Sequence, residues 1–283
     1  MSASPHAVRV GLGRGWTEFK LSLRSPQDQG FYLFMAFAVL GYLFLRRNTE
    51  VEGTTLLLPA VSMPSILGGL VAFGVVIGPA YQLAMDREDG TLLRAKAVPH
   101  GIVGYVTSQL LLHSLGMLPM LTVILVPGFL IFDVMQRGIT GWLTVVWVVV
   151  LGLLATLPIG IIIGSLVPST QKVGTWGMLP IMVLAGISGI FYPIQELWTW
   201  IQWIAQAFPM YWLGLGMRSA FLPEAAAALE IAGSWRTMET VLVLVAWSVA
   251  GLVLAPPVLR QMARHQSGAA VQAAREAAVQ WVR

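Results

Sequence analysis

The chain has no cysteine among its 283 residues. That excludes a disulfide framework, a thiolate zinc site and a cysteine nucleophile. Charge is also scarce: Asp, Glu, Lys and Arg make up 11% of the sequence, against roughly 25% in soluble domains. With 57% hydrophobic residues and a mean hydropathy of +0.75, the composition excludes an ordinary soluble globular protein. The four histidines, His6, His100, His113 and His265, are too dispersed for metal-ligand spacing. Lysine occurs three times and asparagine once, a bias toward Arg that reads as a GC-rich bacterial source. The net charge of +4 does not point to nucleic acid, because in a membrane protein the placement of basic residues carries the information.

What the sequence has instead is long apolar runs. A transmembrane helix needs about 20 mostly apolar residues, and six stretches free of Asp, Glu, Lys and Arg approach or exceed that length: Gly30 to Leu45, Leu56 to Ala84, Ile102 to Phe132, Gly141 to Val167, Val173 to Tyr192 and Val241 to Leu259. The first is short and ends at Arg46 and Arg47. Pro59, Pro64, Pro79, Pro119, Pro127 and Pro158 fall within the longer ones, which predicts tilted or kinked helices. The expected fold is therefore an all-α integral membrane protein with six spans over residues 30–260, a cytoplasmic N-terminus at 1–29 and a cytoplasmic tail at 261–283.

Placing the N-terminus inside puts 12 of the 17 basic residues in the cytoplasm, so the positive-inside rule favours both termini there. The first apolar run begins near residue 30 and ends in Arg-Arg, unlike a cleaved signal peptide. Two segments depart from the simple pattern. Residues 8–24 place Val8, Leu12, Trp16, Phe19 and Leu23 at helical spacing, which predicts an amphipathic interfacial helix ended by Pro26. Gly11, Gly13 and Gly15 weaken that helix. Residues 193–216 carry Glu196, Gln202, Gln206 and Pro209 with Trp198, Trp200, Trp203 and Trp212, which predicts a re-entrant outer helix pair with its tryptophans at headgroup depth.

Several chemistries lack their residues. No G-x-x-x-x-G-K-[ST] is present and no Gly precedes Lys20, Lys96 or Lys172, so the chain has no loop of that kind to cradle ATP. A gradient-driven carrier usually keeps an ionisable group in its spans, and here the sole candidate is His113, whose replacement by Ala separates a secondary carrier or channel from a driven subunit. A structural subunit of another complex is the third reading. Gly186-Ile187-Ser188-Gly189 is similar to an intramembrane protease motif, but no histidine base lies on a neighbouring span. The small residues there, at Gly160 and Gly164, and at Gly174 and Gly177 read as packing surfaces. No catalytic, cofactor or metal site is expected.

The most charged stretch is residues 85–101, MDREDGTLLRAKAVPHG, between the second and third spans. Gly90 permits a break, Thr91 can cap the following turn, and Leu92 to Val98 can form about two helical turns before Pro99. A short helix with Leu92, Leu93 and Val98 beside Arg94 and Lys96 predicts docking on another protein.

Here the sequence resembles the membrane-spanning permeases of type-2 ABC transporters, in the manner of bacterial drug-resistance exporters. The residues that carry the resemblance are Asp86, Arg87, Glu88, Asp89, Gly90, Thr91, Leu92 and Pro99 in the loop, residues 8–24 as the amphipathic helix, Ser188 to Pro193 as the turn into the re-entrant pair, and Pro209, Tyr211 and Arg218 near its end. The family is often acidic where this chain has Leu93, and Arg94 and Lys96 make this helix unusually basic, which suits a partner with an acidic rim. The resemblance implies half of an exporter in the bacterial cytoplasmic membrane. A second permease chain, identical or not, would complete it. A separate cytoplasmic P-loop ATPase would supply ATP and Mg, and the loop from Arg87 to Arg94, with Pro99, would transmit its closure. Pro193, Trp198, Trp203, Pro209 and Tyr211 would form an outer gate, and Gly68, Gly74, Gly177, Gly186 and Gly189 would permit close packing at the dimer or pathway. With no charge in the spans, the cargo would be lipophilic or amphipathic, either drug-like or lipid-linked.

Overall fold

The computed structural model describes residues 5–51, 56–132, 138–167, 169–191 and 194–265. Apart from one isolated bridge between Glu50 and Leu57, the described residues contain no β structure. Five helices are long and apolar enough to cross a membrane: α2 (Pro26–Leu45), α3 (Leu58–Glu88), α5 (Gly101–Phe132), α6 (Gly138–Leu166) and α11 (Thr237–His265). Their positions follow the charge-free stretches because an ionisable group in hydrocarbon is expensive. Short helices α1 (Pro5–Ser22) and α4 (Thr91–Lys96) precede and interrupt them.

The fifth expected span takes a different form. Residues 170–187 are helical throughout but divided into α7 (Thr170–Lys172), a π-turn (Val173–Gly177) and α8 (Met178–Ile187). The segment also ends five residues short of Tyr192, which with Pro193 lies outside the described residues. Prolines interrupt less than their number predicts, since α3, α5 and α6 run continuously through Pro64, Pro79, Pro119, Pro127 and Pro158, while Pro59 sits in the first turn of α3, where no N–H is needed.

Helix α3 is the centre of the bundle. Helices α2, α5, α6, α8 and α10 (Pro209–Phe221) all pack on it, and α11 packs on the far side of α6. The α3–α6 contact is made through backbone. A Cβ on Gly160 would collide with the Val76 carbonyl, and one on Gly164 would stand 2.8 Å from the Ala80 carbonyl oxygen. Small residues replace a hydrophobic driving force here, because lipid tails are as apolar as Leu and only close contact distinguishes a helix from lipid.

The same rule sets the face by which α1 meets the bundle. Its buried residues are Ala7, Gly11, Gly15 and Phe19, whereas Leu12, Trp16 and Leu23 of the apolar stripe are exposed. Gly11 meets Gly104, and a Cβ on Gly15 would lie 2.7 Å from the Ser108 carbonyl oxygen, so α1 runs alongside the start of α5. Two of the three glycines that weaken the helix in isolation, Gly11 and Gly15, belong to its contact surface, while a Cβ on Gly13 would meet nothing within 4 Å. At 32 residues, or about 48 Å, α5 is longer than the roughly 30 Å hydrocarbon core. Its first turns can therefore extend beyond the core with α1 beside them.

The two short helices after α8 also divide unequally. Helix α9 (Thr199–Ala207) leaves Trp198, Trp200 and Trp203 exposed, while every residue of α10 is buried. Trp212 and Tyr211, placed at headgroup depth and the outer gate by sequence, lie in the core. Trp212 donates its indole N–H to the Gln206 carbonyl at 2.7 Å, which supplies in the interior the hydrogen bond it would otherwise take from water.

Candidate functional site

The loop between α3 and α5 is built from the last turn of α3. Arg87 donates to the Val167 carbonyl at 2.9 Å and the Gly164 carbonyl at 3.4 Å, at the C-terminus of α6. Glu88 accepts from the Thr170 N–H at 2.9 Å, at the start of α7. Ser169 caps the same end, accepting from the Lys172 N–H at 3.3 Å. Helix C-termini carry partial negative charge and N-termini partial positive charge, so two adjacent residues of opposite sign hold two opposite helix poles. Residues 86–88 and 164–170 therefore meet at one end of the bundle.

Asp86 faces inward and is buried. It accepts from the Tyr105 hydroxyl at 2.7 Å and from the Gln82 amide at 3.1 Å. Beside this lies a second cluster, in which Glu18 accepts from Arg14 at 2.7 Å and from the Ser108 hydroxyl at 2.9 Å. Together they join α1, α3 and α5. Asp86 appears in the sequence pattern, but its partner Tyr105, like Arg14, Glu18 and Ser108, carries no local motif that marks it.

Gly90 turns the chain with φ of 82°, a left-handed conformation that a side chain would strain. Asp89, and not Thr91, then caps α4, its carboxylate accepting the Thr91 N–H at 2.7 Å, and the Thr91 hydroxyl accepts from Arg94 at 2.8 Å. Leu92 is fully buried and anchors α4 to its own bundle, with Leu93 partly buried. The exposed surface is formed by Arg94, Lys96, Val98 and Pro99, and α4 stops at Lys96, short of the expected Val98. Lys96 also donates to the Arg264 carbonyl at the end of α11, at 3.5 Å.

At the opposite end, Arg218 of α10 is buried and forms a two-pronged pair with Glu230, its outer nitrogen 3.1 Å from Oε2. Its remaining donor reaches the Ser65 hydroxyl of α3 at 2.9 Å and the Gly189 carbonyl at 3.2 Å. The ion pair thus ties α10, the loop that follows it, α3 and the turn after α8 into one knot. Pro209 starts α10 and is buried; Pro193 lies outside the described residues.

The glycines have distinct surroundings. A Cβ on Gly68 would lie 2.9 Å from the Leu213 carbonyl of α10, one on Gly74 would meet the Met117 side chain, and one on Gly177 would be 3.3 Å from Ile163. Gly189 has φ of 72° and forms the turn after α8, while a Cβ on Gly186 would point into open space. Ser188 donates its hydroxyl to the Ala185 carbonyl at 2.8 Å. His113 lies 3.1 Å from Oε1 of Gln109, one turn earlier on α5.

Two cavities flank α3. One, of about 570 Å³, lies between α2, α3 and α8 and is lined by residues such as Val39, Ile66, Leu70, Phe73, Met182 and Phe191. The other, of about 770 Å³, lies between the α1–α2 elbow, α3 and α5. Among the described residues no cluster of His, Asp and Glu could hold a metal ion.

Residues 15–222 match a family model described as ABC-2 type transporter, from within α1 to the residue after α10. The loop, both cavities and the Arg218 end of the buried pair lie within the match. No curated protein matches the chain.

Proposed function

The chain belongs to the ABC-2 type transporter family, and on that premise we propose that this membrane-spanning subunit is the permease of an ATP-driven exporter. It moves a lipophilic or amphipathic substrate, drug-like or lipid-linked, across the cytoplasmic membrane of a bacterium. Both termini face the cytoplasm. ATP and Mg are held by a separate P-loop ATPase chain, and a second permease chain completes the pathway beside the apolar cavity between α2, α3 and α8.

The observation that carries this reading is the division of labour within residues 85–101. Arg87, Glu88 and Leu92 are bound into the chain's own bundle. Arg94, Lys96, Val98 and Pro99 are left outward as a basic and apolar surface. A surface wired in this way to α3, to the α6–α7 break and to the end of α11 can hand a push from a docked partner to the spans. The apolar lining of the pathway cavity supports a lipophilic cargo, since a polar sugar chain would need hydrogen-bonding groups there.

The test is gentle purification of the tagged chain from its native membrane, with identification of what accompanies it and an assay of ATP hydrolysis. A P-loop ATPase should co-purify. Replacing Arg94 and Lys96 together by Glu should release it while membrane insertion and thermal stability are retained. A stable complex without any ATPase, or unchanged association in the double variant, refutes the proposal.

A further inference from the structure

The cavity between the α1–α2 elbow, α3 and α5 differs from its neighbour in its polar groups. Its volume of about 770 Å³ falls in the range of small-molecule pockets, roughly 300–1,000 Å³. Most of its lining is apolar and soft, including Phe31, Phe73, Met117 and Met120. Two carboxylates, Glu18 and Asp28, stand at its elbow end, and no Lys or Arg lines it.

The remaining polar atoms deepen the asymmetry. Gln82 spends its amide on Asp86, leaving its carbonyl oxygen as an acceptor. His113 faces Oε1 of Gln109 with Nε2, which places its proton there and leaves Nδ1 as an acceptor. The Ser22 hydroxyl donates to Asp28 at 2.6 Å, the sole side-chain partner of that carboxylate among the described residues. Glu18 is offset in part by Arg14, so Asp28 is the less compensated charge. The cleft thus offers acceptors and negative charge along an apolar wall.

It is also continuous with the proposed pathway. Met35, Leu70 and Phe73 line both cavities, so a molecule seated with its polar end at Asp28 has an apolar track leading past α3 toward α8.

We propose that this cleft is the inner-leaflet entry site of the permease and that it selects cationic amphiphiles, with the cation held by Asp28 and Glu18 and the apolar body against Phe31, Phe73 and Met117. This rests on the permease reading above and names its substrate class. A lipophilic anion meets two carboxylates and no cation there, with only neutral hydroxyls such as those of Ser25 and Tyr32 to donate to it, so the same shape with opposite charge is disfavoured.

Tetraphenylphosphonium and tetraphenylborate are such a pair. Equilibrium dialysis of each against the full chain in lipid nanodiscs, without nucleotide, measures total binding, and its difference from a plugged variant isolates the cleft from the lipid and from the neighbouring cavity. Gly116 lines the cleft and a Cβ there would meet nothing within 4 Å, so Gly116→Leu starts its side chain in open space and replaces a helix-weakening residue. Saturable phosphonium binding should vanish in Gly116→Leu, and Asp28→Asn should weaken it about tenfold, the loss of one charge-assisted contact. Tetraphenylborate should show no binding above the plugged background. Equal binding of the two ions, or full phosphonium affinity in Asp28→Asn, overturns the proposal, and Asp28→Asn carries the test if Gly116→Leu does not fold. Binding in a chain that recruits no ATPase would overturn the exporter reading and leave the cleft assignment standing; ATPase recruitment with no charge preference would do the reverse.

Discussion

Glu88, at the last residue of α3, accepts the backbone N–H of Thr170 across 82 positions of sequence. Arg87 beside it grips the C-terminal carbonyls of α6. The break between α6 and α7 is therefore held by one turn of a different helix, each charge at the pole that favours it.

Glu88→Ala should destabilise the chain by about 1–2 kcal/mol, the range for loss of a helix cap. Glu88→Gln keeps an acceptor and should cost less, about 0.3–1 kcal/mol for the lost charge at the pole. The exchange of both residues, Arg87→Glu with Glu88→Arg, should be worse than either single change. Thermal unfolding in detergent ranks the three, and a charge-exchanged chain as stable as the wild type would sink the pole argument.

Removing Arg218 strands a buried carboxylate. Arg218→Met should cost about 3–5 kcal/mol, as for other broken buried pairs, whereas adding Glu230→Leu should recover a large part of the loss because no unpaired charge remains. The measurement is the melting temperature of the two variants. A double variant less stable than the single one would contradict this account.

Two glycines should respond to alanine with opposite signs. Gly41 of α2 has open space where a Cβ would go, so Gly41→Ala should stabilise by up to about 1 kcal/mol through helix propensity. Gly160→Ala pushes a methyl into the Val76 carbonyl and should destabilise by about 1–3 kcal/mol despite the same propensity gain. Denaturation of both variants in one detergent decides it; equal shifts would mean that α3 and α6 are not in backbone contact.

Tyr105→Phe leaves packing intact and removes one of the two side-chain donors to buried Asp86. A loss of about 1.5–3 kcal/mol is expected for a hydrogen bond to a charged group. Hydrogen exchange should locate it, with faster exchange over residues 85–101 than over α11. Unchanged exchange in the loop would show that Asp86 does not brace it.

Five of the six expected spans match long apolar helices because charge is excluded from hydrocarbon, a rule that acts residue by residue and leaves its mark in local composition. Faces were less legible. The apolar stripe of Leu12 and Trp16 marks α1 as amphipathic but does not show what the helix packs on, because in lipid the large apolar residues are already solvated and small ones do the packing, so Gly11 and Gly15 carry the contact. Of the four tryptophans between α8 and the end of α10, the three in and before α9 are exposed, but Trp212 follows Pro209 into a helix whose whole surface is enclosed. The loop motif located the candidate site without its wiring, because Glu88 to Thr170 and Asp86 to Tyr105 are pairings of the folded chain that no spacing along the sequence encodes.

The contact between Gly160, Gly164 and the backbone of α3 has a mechanical side. Side chains between helices act as springs, since rotamers can shift to absorb a small displacement. Where the Val76 and Ala80 carbonyls stand against Gly160 and Gly164 no side chain lies between the helices to repack, so α3 and α6 resist separate movement at that level. The nearest breaks in regular α-helix are the π-turn at Val173–Gly177 and the elbow between α1 and α2 at Ser22 to Pro26, where a change of angle costs no such contact.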